Sequence, residues 1–492
     1  MSENDLIQSR LAKLAALEAA GVDAFPNGYA TDGTIAAVRA PWEESDAEAL
    51  EAAAVTVQVA GRLTALRAHG KSSFADLDDG SARLQCFARM NVLGEERFQD
   101  WMETDLGDFV GVRGTLMRTR AGELSIQVEE FTLLSKAVRP MPEKWHGLKD
   151  VEIRYRQRYL DLLANPEVRD IFRRRAEIVR SLRAHLDSHG FLEVETPTLQ
   201  PLYGGAHARP FLTHHNTLDM DLYLRIAPEL YLKRLLVGGL QRVYDLNRNF
   251  RNEGISRQHN PEFTMLEFYA AYWDYEVMME FAEELMCMAF GAPDGNADLP
   301  YQDRTISLKR PWKRLPLRDA LIELGGMDPA IVADEARLRA WLEERDVHTD
   351  GLGHGGLEEA ALDKVVKPDI VDPVFITDYP LEISPLSKGS PDDPDRVERF
   401  ELYVGGMEVA NGFSELNDPR EQRRRMQEQV DARDPSGEVP PIVDEDYVTA
   451  LEYGMPPAAG IGIGIDRMVM LATDSATIRD VILFPLLRQK QQ

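Results

Sequence analysis

Apolar positions recur along this chain with two alternating periods. Leu6, Ile7, Leu11, Leu14 and Leu17 fall at helical spacing, and Gly21 follows as a stop, which predicts an N-terminal helix. From residue 55 the period drops to two. "VTVQVAGRL", "SSFADLDDG", "ARLQCFARM", "DFVGVRGTLMRT" and "ELSIQVEEFTLL" read as short strands separated by Gly or Asp turns. "KAVRPMPEKWHG" (136–147), with two prolines, reads as a linker. The helical period then returns, with Val168, Ile171, Phe172, Ile178, Val179, Leu182 and Leu186 on one side of a helix over 168–189. Gly190 caps it, and "FLEVETP" alternates as a strand ending at Pro197.

Five strands in about eighty residues suit a small OB-like barrel over 55–137. Downstream, a second strand-rich block covers about 221–272. Residues 273–345 are mostly helical, including "YEVMMEFAEELMCMAF" and "EARLRAWLEERD". A further β block over 372–416 leads through an acidic, polar segment, 417–446, to "GIGIGIDRMVML" (460–471) and a final helix. In that last stretch Ile461, Ile463 and Ile465 share one strand face. Gly460, Gly462 and Gly464 leave the other as bare backbone. Glycine weakens a strand interior, so a glycine face marks a place where something approaches closely. A tight contact between sheet and helix is the competing reading.

At 492 residues, 44% of them hydrophobic, the chain has the length for two or three domains with sizeable cores. No apolar run approaches the length of a membrane span. The N-terminus lacks the basic start and apolar block of a secretory signal. Cys86 and Cys287 form no metal or redox pattern, so a reduced, cytoplasmic protein with buried or idle thiols is expected. The net charge of −27 argues against indiscriminate nucleic-acid binding. One local exception is Arg139–Arg183, with 12 Lys/Arg against 7 Asp/Glu, including "RYRQRY" and "RRR". Alone, that run reads as a solvated helix face with compensating acids.

The richest segment is "RVYDLNRNFRNEGISRQHNPEFTMLEFYAAY" (242–272), two strands joined by a polar loop containing Gly254 and Pro261. Asp245, Asn247, Asn249 and Arg251 share a face of the first strand; Phe263, Met265, Glu267 and Tyr269 share a face of the second. A face that alternates Phe, Glu and Tyr within reach of an Arg is neither a core nor an ordinary solvated surface.

"FLEVETP", "FRNEGISRQHNPEF" and "GIGIGIDR" resemble, in the right order, motifs 1, 2 and 3 of the class II aminoacyl-tRNA synthetases. With the OB-like barrel in front, the chain resembles the subgroup that handles lysine, aspartate and asparagine. "GGAHARPF", "RIAPELYLKRL" and "GGMEVANGFSEL" are similar to its lysine-specific members. The resemblance covers nearly the whole chain. It implies an α+β architecture: a helical extension (1–54), an OB-fold anticodon-binding barrel (55–137), a linker (138–160) and a class II catalytic domain (161–492). The catalytic domain is an antiparallel sheet flanked by helices, with a helical insertion at about 290–366. It also implies ATP and L-lysine as substrates, Mg2+, tRNA(Lys) as partner and a homodimer built on motif 1, in the cytoplasm and away from membranes.

By the same resemblance, Arg251 contacts the α-phosphate and the substrate carboxylate. Arg467 clamps the γ-phosphate, and Phe263 stacks on adenine with the bare glycine face behind the nucleotide. Glu253, His259 and Asn260 belong to the loop that closes over the base and phosphates. No glycine-rich phosphate loop ending in Lys-Ser/Thr occurs, so arginines and metal must supply the positive field. Glu401 and Glu408 match the metal positions. Their spacing would put them on opposite faces of one perfect strand, and a bulge at Gly405-Gly406 would restore a shared face. Met407 stands where many relatives have a basic residue.

For the amino acid, Glu229, Glu267 and Glu415 match a lysine pocket, with Tyr269, Asn411 and Phe413 beside them and Gly205 leaving space for the α-amino group. A buried ε-ammonium needs such carboxylates, because an unpaired buried charge costs several kcal/mol. In the barrel, Phe74 offers stacking, Gln85 and Glu130 edge contacts and Arg62 a phosphate contact, all at matching positions. The barrel holds 10 Lys/Arg against 12 Asp/Glu, so binding there has to be local. The alternatives are a catalytically silent nucleic-acid-binding or regulatory paralogue and a paralogue that attaches lysine to protein. Intact Arg251, Arg467, Glu401 and Glu408 disfavour the first, and an intact barrel disfavours the second.

Overall fold

The computed structural model describes residues 2–141, 148–206, 208–432 and 443–488. Part of the proline-bearing linker (142–147), His207 of "GGAHARPF" and 433–442 of the acidic segment lie outside the described residues. The chain forms two compact units, Met1–Leu148 and Lys149–Gln492.

In the first unit, the helix Glu3–Ala19 starts at a capping box in which Asp5 N–H donates to Ser2 Oγ and Ser2 N–H to Asp5 Oδ2. It stops just short of Gly21, whose φ is +73°. Its leucine stripe is only half-covered. The one buried residue is Arg10, which donates to the carbonyls of Leu106, Ala137 and Arg139. The five expected strands are present: Thr56–His69, Ser72–Asp78, Arg83–Arg89, Phe109–Arg118 and Leu124–Ser135. The first three run side by side. The fifth then pairs parallel with the third and antiparallel with the fourth, which closes back on the first. Inward positions such as Val59, Leu63, Leu77, Leu84, Val110 and Ile126 are fully buried. The alternation did not disclose the helix Glu95–Met102 between the third and fourth strands. It adds Phe98 and Trp101 to the barrel core, and Trp101 Nε1 donates to Ser73 Oγ.

The second unit is built on an eight-stranded sheet. In spatial order its strands are Lys313–Pro316, Val374–Thr377, Arg399–Val404, Met407–Ser414, Ala458–Gly464, Glu262–Ala271, Arg242–Phe250 and Leu192–Glu193. All neighbours are antiparallel except the two outermost pairs. One face buries Ile461, Ile463, Leu266, Phe268, Phe400 and Leu402 against the helices Pro166–Ser188, Tyr275–Phe290 and Ile465–Ala472. The opposite face carries Gly460, Gly462, Glu267, Tyr269, Asn411 and Phe413. The period-two pattern thus sorts apolar contacts to one side and chemistry to the other.

Several expectations change in detail. The motif 1 helix begins at Pro166, whose fixed φ and missing N–H suit the first helical turn. Of "FLEVETP", only Leu192–Glu193 pairs as a strand, at the sheet edge. Residues 273–345 hold a hairpin, Asp298–Tyr301 with Arg304–Ser307, and the edge strand Lys313–Pro316 beside their helices. The polar stretch after 417 folds first as the helix Pro419–Ala432.

The basic run is not simply a solvated face. Arg158 is 1% exposed, 2.6 Å from Asp161, and donates to the carbonyls of Arg479, Ile482 and Leu483. Arg175 reaches Asp466 at 2.6 Å and Thr264 Oγ1 at 3.0 Å. These two charges act inside the domain, and Arg173, beside Asp170, fits the solvated reading. Cys86 and Cys287 are buried free thiols, and burial raises the pKa of both.

Candidate functional site

The polar face of the sheet opens into a cavity of about 920 Å3. Its walls include Gly205, Glu229, Arg251, Glu253, His259, Asn260, Phe263, Glu267, Tyr269, Glu408, Asn411, Phe413 and Arg467. Thirteen of the fifteen catalytic-domain residues singled out from sequence therefore meet in one place. Glu401 and Glu415 stand behind the wall, each held by a cation that sequence reading passed over.

Strand register explains the convergence. Glu267 lies opposite Asp245 on one side and Gly462 on the other, and Gly462 in turn faces Asn411. Tyr269 faces Gly460, which faces Phe413. A side chain at Gly460 would overlap the Tyr269 ring and Glu415 Oε1. One at Gly462 would come within 2.8 Å of the Met265 methyl, the mobile end of a flexible side chain. Gly464 has ordinary contact distances around it. The bare glycine face thus also serves packing within the fold. All three glycines line the cavity; Gly460 makes room for Tyr269 and Glu415, Gly462 for Met265 and Glu267, and the Gly464 end is the least crowded.

At that end stand the two arginines. Arg251, just beyond the strand Arg242–Phe250, lies 5.1 Å over the Phe263 ring, and its Nε is buried without a hydrogen-bond partner. Burial lowers its pKa, opposed by Glu408, Glu253 and Glu267. It is a guanidinium held ready with donors to spare. Arg467 lies in the first turn of the helix Ile465–Ala472. It donates to the Glu408 carbonyl at 2.5 Å, sits 3.4 Å from Glu408 Oε2 and meets His259 Nε2 at 3.1 Å. Because Arg467 can only donate, His259 Nε2 accepts and Nδ1–H donates to Ser256 Oγ. Burial, then Arg467, lowers the histidine's pKa. His259 is therefore a neutral latch between loop and helix rather than an idle loop histidine. Neighbouring Asp466 accepts from Arg175 and from Thr264 N–H, anchoring that helix to the sheet. Asn260 Nδ2 donates to Glu262 O while its Oδ1 is buried without a partner.

Glu401 and Glu408 do share a face, for a reason other than the one expected. Gly405 (φ +58°) and Gly406 (φ +78°) form the turn of a hairpin, so the two glutamates lie on different strands. The register slips between Leu402 and Tyr403, bringing Glu408 opposite Tyr403, two residues from Glu401. Glu401 accepts from Arg399 at 2.5 Å, Tyr403 at 2.5 Å and Tyr379 at 2.9 Å. Its pKa is raised by burial and by Glu408; the pKa of Glu408 is lowered by Arg467, Lys367, Arg251 and Arg399 against burial. Glu359, with a pKa pushed up to about 7 by burial and by Glu401, is a third acid on this wall. Two carboxylates with lone pairs to spare beside a polar cavity form a hard-oxygen donor set that fits magnesium. Met407 is 1% exposed, with its sulfur 3.8 Å from the Tyr301 hydroxyl. Its place in the core accounts for an apolar residue there.

Gly205, Glu229, Glu267 and Tyr269 line the same cavity. Gly205 has φ +83°, and a side chain there would run into Glu229 and Ala227. Glu267 is 4% exposed, and its pKa is pushed well above the usual carboxylate range by burial and Glu229, with Arg251 opposing. Sequence reading missed Lys233 and Arg399. Lys233 lies in the quoted "RIAPELYLKRL", one helical turn beyond Glu229, a spacing that marks an ion pair. Arg399 Nε donates to Asn411 Oδ1 at 3.2 Å, and its NH2 to Glu401. Nothing local in sequence pairs Arg399 with Asn411, because the contact is between strands.

On the barrel, Arg62, Phe74 and Gln85 lie on the outward face of adjacent strands. Phe74 stacks on Phe87 with centroids 4.7 Å apart. Phe87 is a second half-buried aromatic on the outward face, which period-two spacing from Gln85 reveals in hindsight. Gln85 accepts from Ser125 Oγ at 3.0 Å. Arg62 donates to Gly107 O at 2.9 Å and lies over Phe109. Glu130 is exposed on the fifth strand, 3.5 Å from Arg113.

A barrel of this topology ahead of such a sheet and cavity defines a class, and the comparisons agree. Residues 150–488 match the model of the class II tRNA synthetases (D, K and N), and 57–134 match the OB-fold nucleic acid binding domain. The chain belongs to that synthetase family. Its relatives include the lysine–tRNA ligase of Carboxydothermus hydrogenoformans, 50% identical over 488 residues and 99% of both chains. Another is that of Moorella thermoacetica, 49% identical over 493 residues, 100% of this chain and 99% of the relative. The lysine–tRNA ligase of Bordetella bronchiseptica is 50% identical over 494 residues, 99% of this chain and 97% of the relative.

The glycine strand gives a test of this geometry. Gly460→Ala should destabilise the catalytic domain by about 1–3 kcal/mol through overpacking against Tyr269 and Glu415. Gly462→Ala should cost less, because the Met265 methyl can swing aside. Urea unfolding of the two variants compares them, and equal losses would contradict the assignment of the two glycines.

Proposed function

We propose that this protein is a lysine–tRNA ligase. It activates L-lysine with ATP to lysyl-adenylate and transfers the lysyl group to the 3′ end of tRNA(Lys). The observation that carries this reading is the gathering of Glu229, Glu267 and Glu415 around the end of a cavity that also holds Arg251, in a chain about half identical over its length to lysine–tRNA ligases. A silent paralogue would have no use for a half-buried guanidinium with a free Nε beside two poised carboxylates.

In the proposed mechanism, the lysine carboxylate attacks the α-phosphorus in line, and pyrophosphate leaves. Arg251, aligned by Phe263, holds the carboxylate and α-phosphate together and stabilises the charge that grows between them. Phe263 offers its other ring face to adenine. Arg467 holds the γ-phosphate, with its own position fixed by Glu408 and His259, while Glu253 and Asn260 close the loop over the nucleotide. Glu401 and Glu408 would hold Mg2+, which neutralises phosphate charge when bound. The α-amino group lies near Gly205 and Glu229 and the ε-ammonium near Glu267, Tyr269 and Glu415, with Asn411 and Phe413 along the wall. On the barrel, Phe74 stacks an anticodon base, Gln85 and Glu130 read base edges and Arg62 meets phosphate.

The protein is proposed to act in the cytoplasm as a homodimer. Among the described residues no helix is long and apolar enough to cross a membrane. Around motif 1, Leu192, Leu199 and Leu212 are each about half exposed on short strands, a surface suited to a twofold partner. Sedimentation at micromolar concentration should give a dimer; a fully active monomer would remove this part of the reading.

Pyrophosphate exchange tests the substrate. Lysine should exceed ornithine, and ornithine should exceed norleucine, with norleucine down by about 10⁴-fold because it leaves buried carboxylates unpaired. Activation of aspartate or asparagine in place of lysine would overturn the assignment. Arg251→Ala should lower exchange by about 100- to 1000-fold with the fold intact. Phe74→Ala should leave exchange alone and weaken tRNA charging, and the reverse pattern would reassign the barrel.

A further inference from the structure

Lys233 is a fully buried cation that the proposed reaction does not itself require. Its Nζ lies 2.6 Å from Glu229 Oε1 and 2.5 Å from Glu415 Oε2, and 5.1 Å over the Phe413 ring. Its side chain is 0% exposed, as is that of Glu415. Glu229 and Lys233 are one turn apart on the helix Glu229–Val237, and Glu415 follows the strand Met407–Ser414. Lys233 therefore ties its helix to the sheet through Glu415 and braces Glu229 on the same helix, two carboxylates that the substrate reading also needs.

The two oxygens of Glu415 have different surroundings. Oε2 is taken by Lys233. Neither oxygen has a hydrogen-bond partner, but only Oε2 has the ion pair; Oε1 is buried and abuts Gly460, whose backbone lines the cavity. A carboxylate with one oxygen beside Lys233 and the other against the bare backbone of Gly460 is oriented for a second cation. The charge count agrees. Glu229, Glu267 and Glu415 bring three negative charges when ionised, and Lys233 and Arg251 return two. One negative charge is left over. Free lysine, with two ammoniums and one carboxylate, supplies the missing positive charge. Norleucine supplies none, and aspartate adds to the deficit.

We propose that Lys233 is a positioning residue that sets amino-acid specificity. Clamped between Glu229 and Glu415, it favours the charged form of Glu415 and aims that carboxylate at the substrate ε-ammonium. This rests on the lysine-activating reading above. The groups facing Glu415 are Lys233 and Glu229 on the helix, Tyr269 on the strand Glu262–Ala271 and Tyr447 on the helix Glu445–Glu452. Of these only Lys233 is cationic. Burial pushes the Glu415 pKa up to about 8, with Lys233 opposing and Glu229 adding to the rise. Because the pKa is raised, the charged form that binds an ammonium is gained as pH increases through that value. Removing Lys233 moves the gain to higher pH.

The test is pyrophosphate exchange with the full-length protein from pH 6.5 to 9.5, using lysine, ornithine and norleucine. Lys233→Met should raise the lysine KM on the order of 100-fold near neutral pH, with the KM for ATP unchanged. Its lysine KM profile should shift to higher pH, and its preference for lysine over norleucine should shrink. A lysine KM that rises without a moved profile or altered preference would make Lys233 structural only and overturn the proposal. If Lys233→Met does not fold by circular dichroism, the double variant Lys233→Met/Glu415→Gln carries the test, since it leaves no unpaired charge at Glu415. It should bind lysine weakly and independently of pH around 8; wild-type affinity in it overturns the proposal. If the wild type itself does not prefer lysine, the substrate reading fails, whereas wild-type preference retained in the variants fails only the role of Lys233.

Discussion

The bare face of the strand Ala458–Gly464 is the constraint on which the site depends. It runs between Met407–Ser414 and Glu262–Ala271, two strands whose side chains line the cavity. Any side chain at Gly460 would occupy the space of the Tyr269 ring and the Glu415 carboxylate. Because nothing projects there, side chains of both neighbouring strands lean over the same backbone and meet. The opposite face of the same strand carries Ile461 and Ile463 into the helical core, which fixes the register. A slip of one residue would turn isoleucines into the cavity and glycines into the core.

Buried charge is the second theme. A carboxylate removed from water is tolerated only with partners, and each acid behind the cavity has one. Glu401 is held by Arg399, Tyr379 and Tyr403; Glu415 by Lys233; Asp466 by Arg175 and Thr264. The groups in the wall are less completely paired. Arg251 keeps a free Nε and Asn260 a free Oδ1, and just behind them Glu415 Oε1 is without a hydrogen bond. Ion pairs behind the wall and unmet hydrogen-bonding capacity near it are the arrangement expected of a preorganised site.

Much of the architecture was legible in the sequence because it rests on local periodicity. The five barrel strands, the motif 1 helix and the hairpin of 242–272 follow from periods of two and 3.6 and from Gly and Pro punctuation. What periodicity missed is also instructive. The helix Glu95–Met102 is short, and its buried pair Phe98 and Trp101 gives too brief a stripe to stand out. "FLEVETP" alternates like a full strand, yet only two of its residues find a neighbour, since pairing at a sheet edge depends on where Arg242–Phe250 ends up. Within the basic run, Arg158 has its acid three residues on, at Asp161, but its burial against the carbonyls of Arg479, Ile482 and Leu483 and the pairing of Arg175 with Asp466 are decided by folding.

By itself the sequence determined which side chains were available and on which face of its own strand or helix each would fall, because those follow from backbone geometry. It thereby placed Arg251, Phe263, Glu267, Tyr269 and Arg467 among the candidates. Only the tertiary structure decided which faces meet. The glutamates 401 and 408 share a side through a hairpin turn and a slipped register rather than through a bulge at the glycine pair. Glu415 has one oxygen beside Lys233 and the other against the backbone of Gly460, and His259 is a latch for Arg467. These contacts join residues from 7 to 208 positions apart or more. Their energies depend on burial and on angles between strands and helices, quantities that no local pattern encodes.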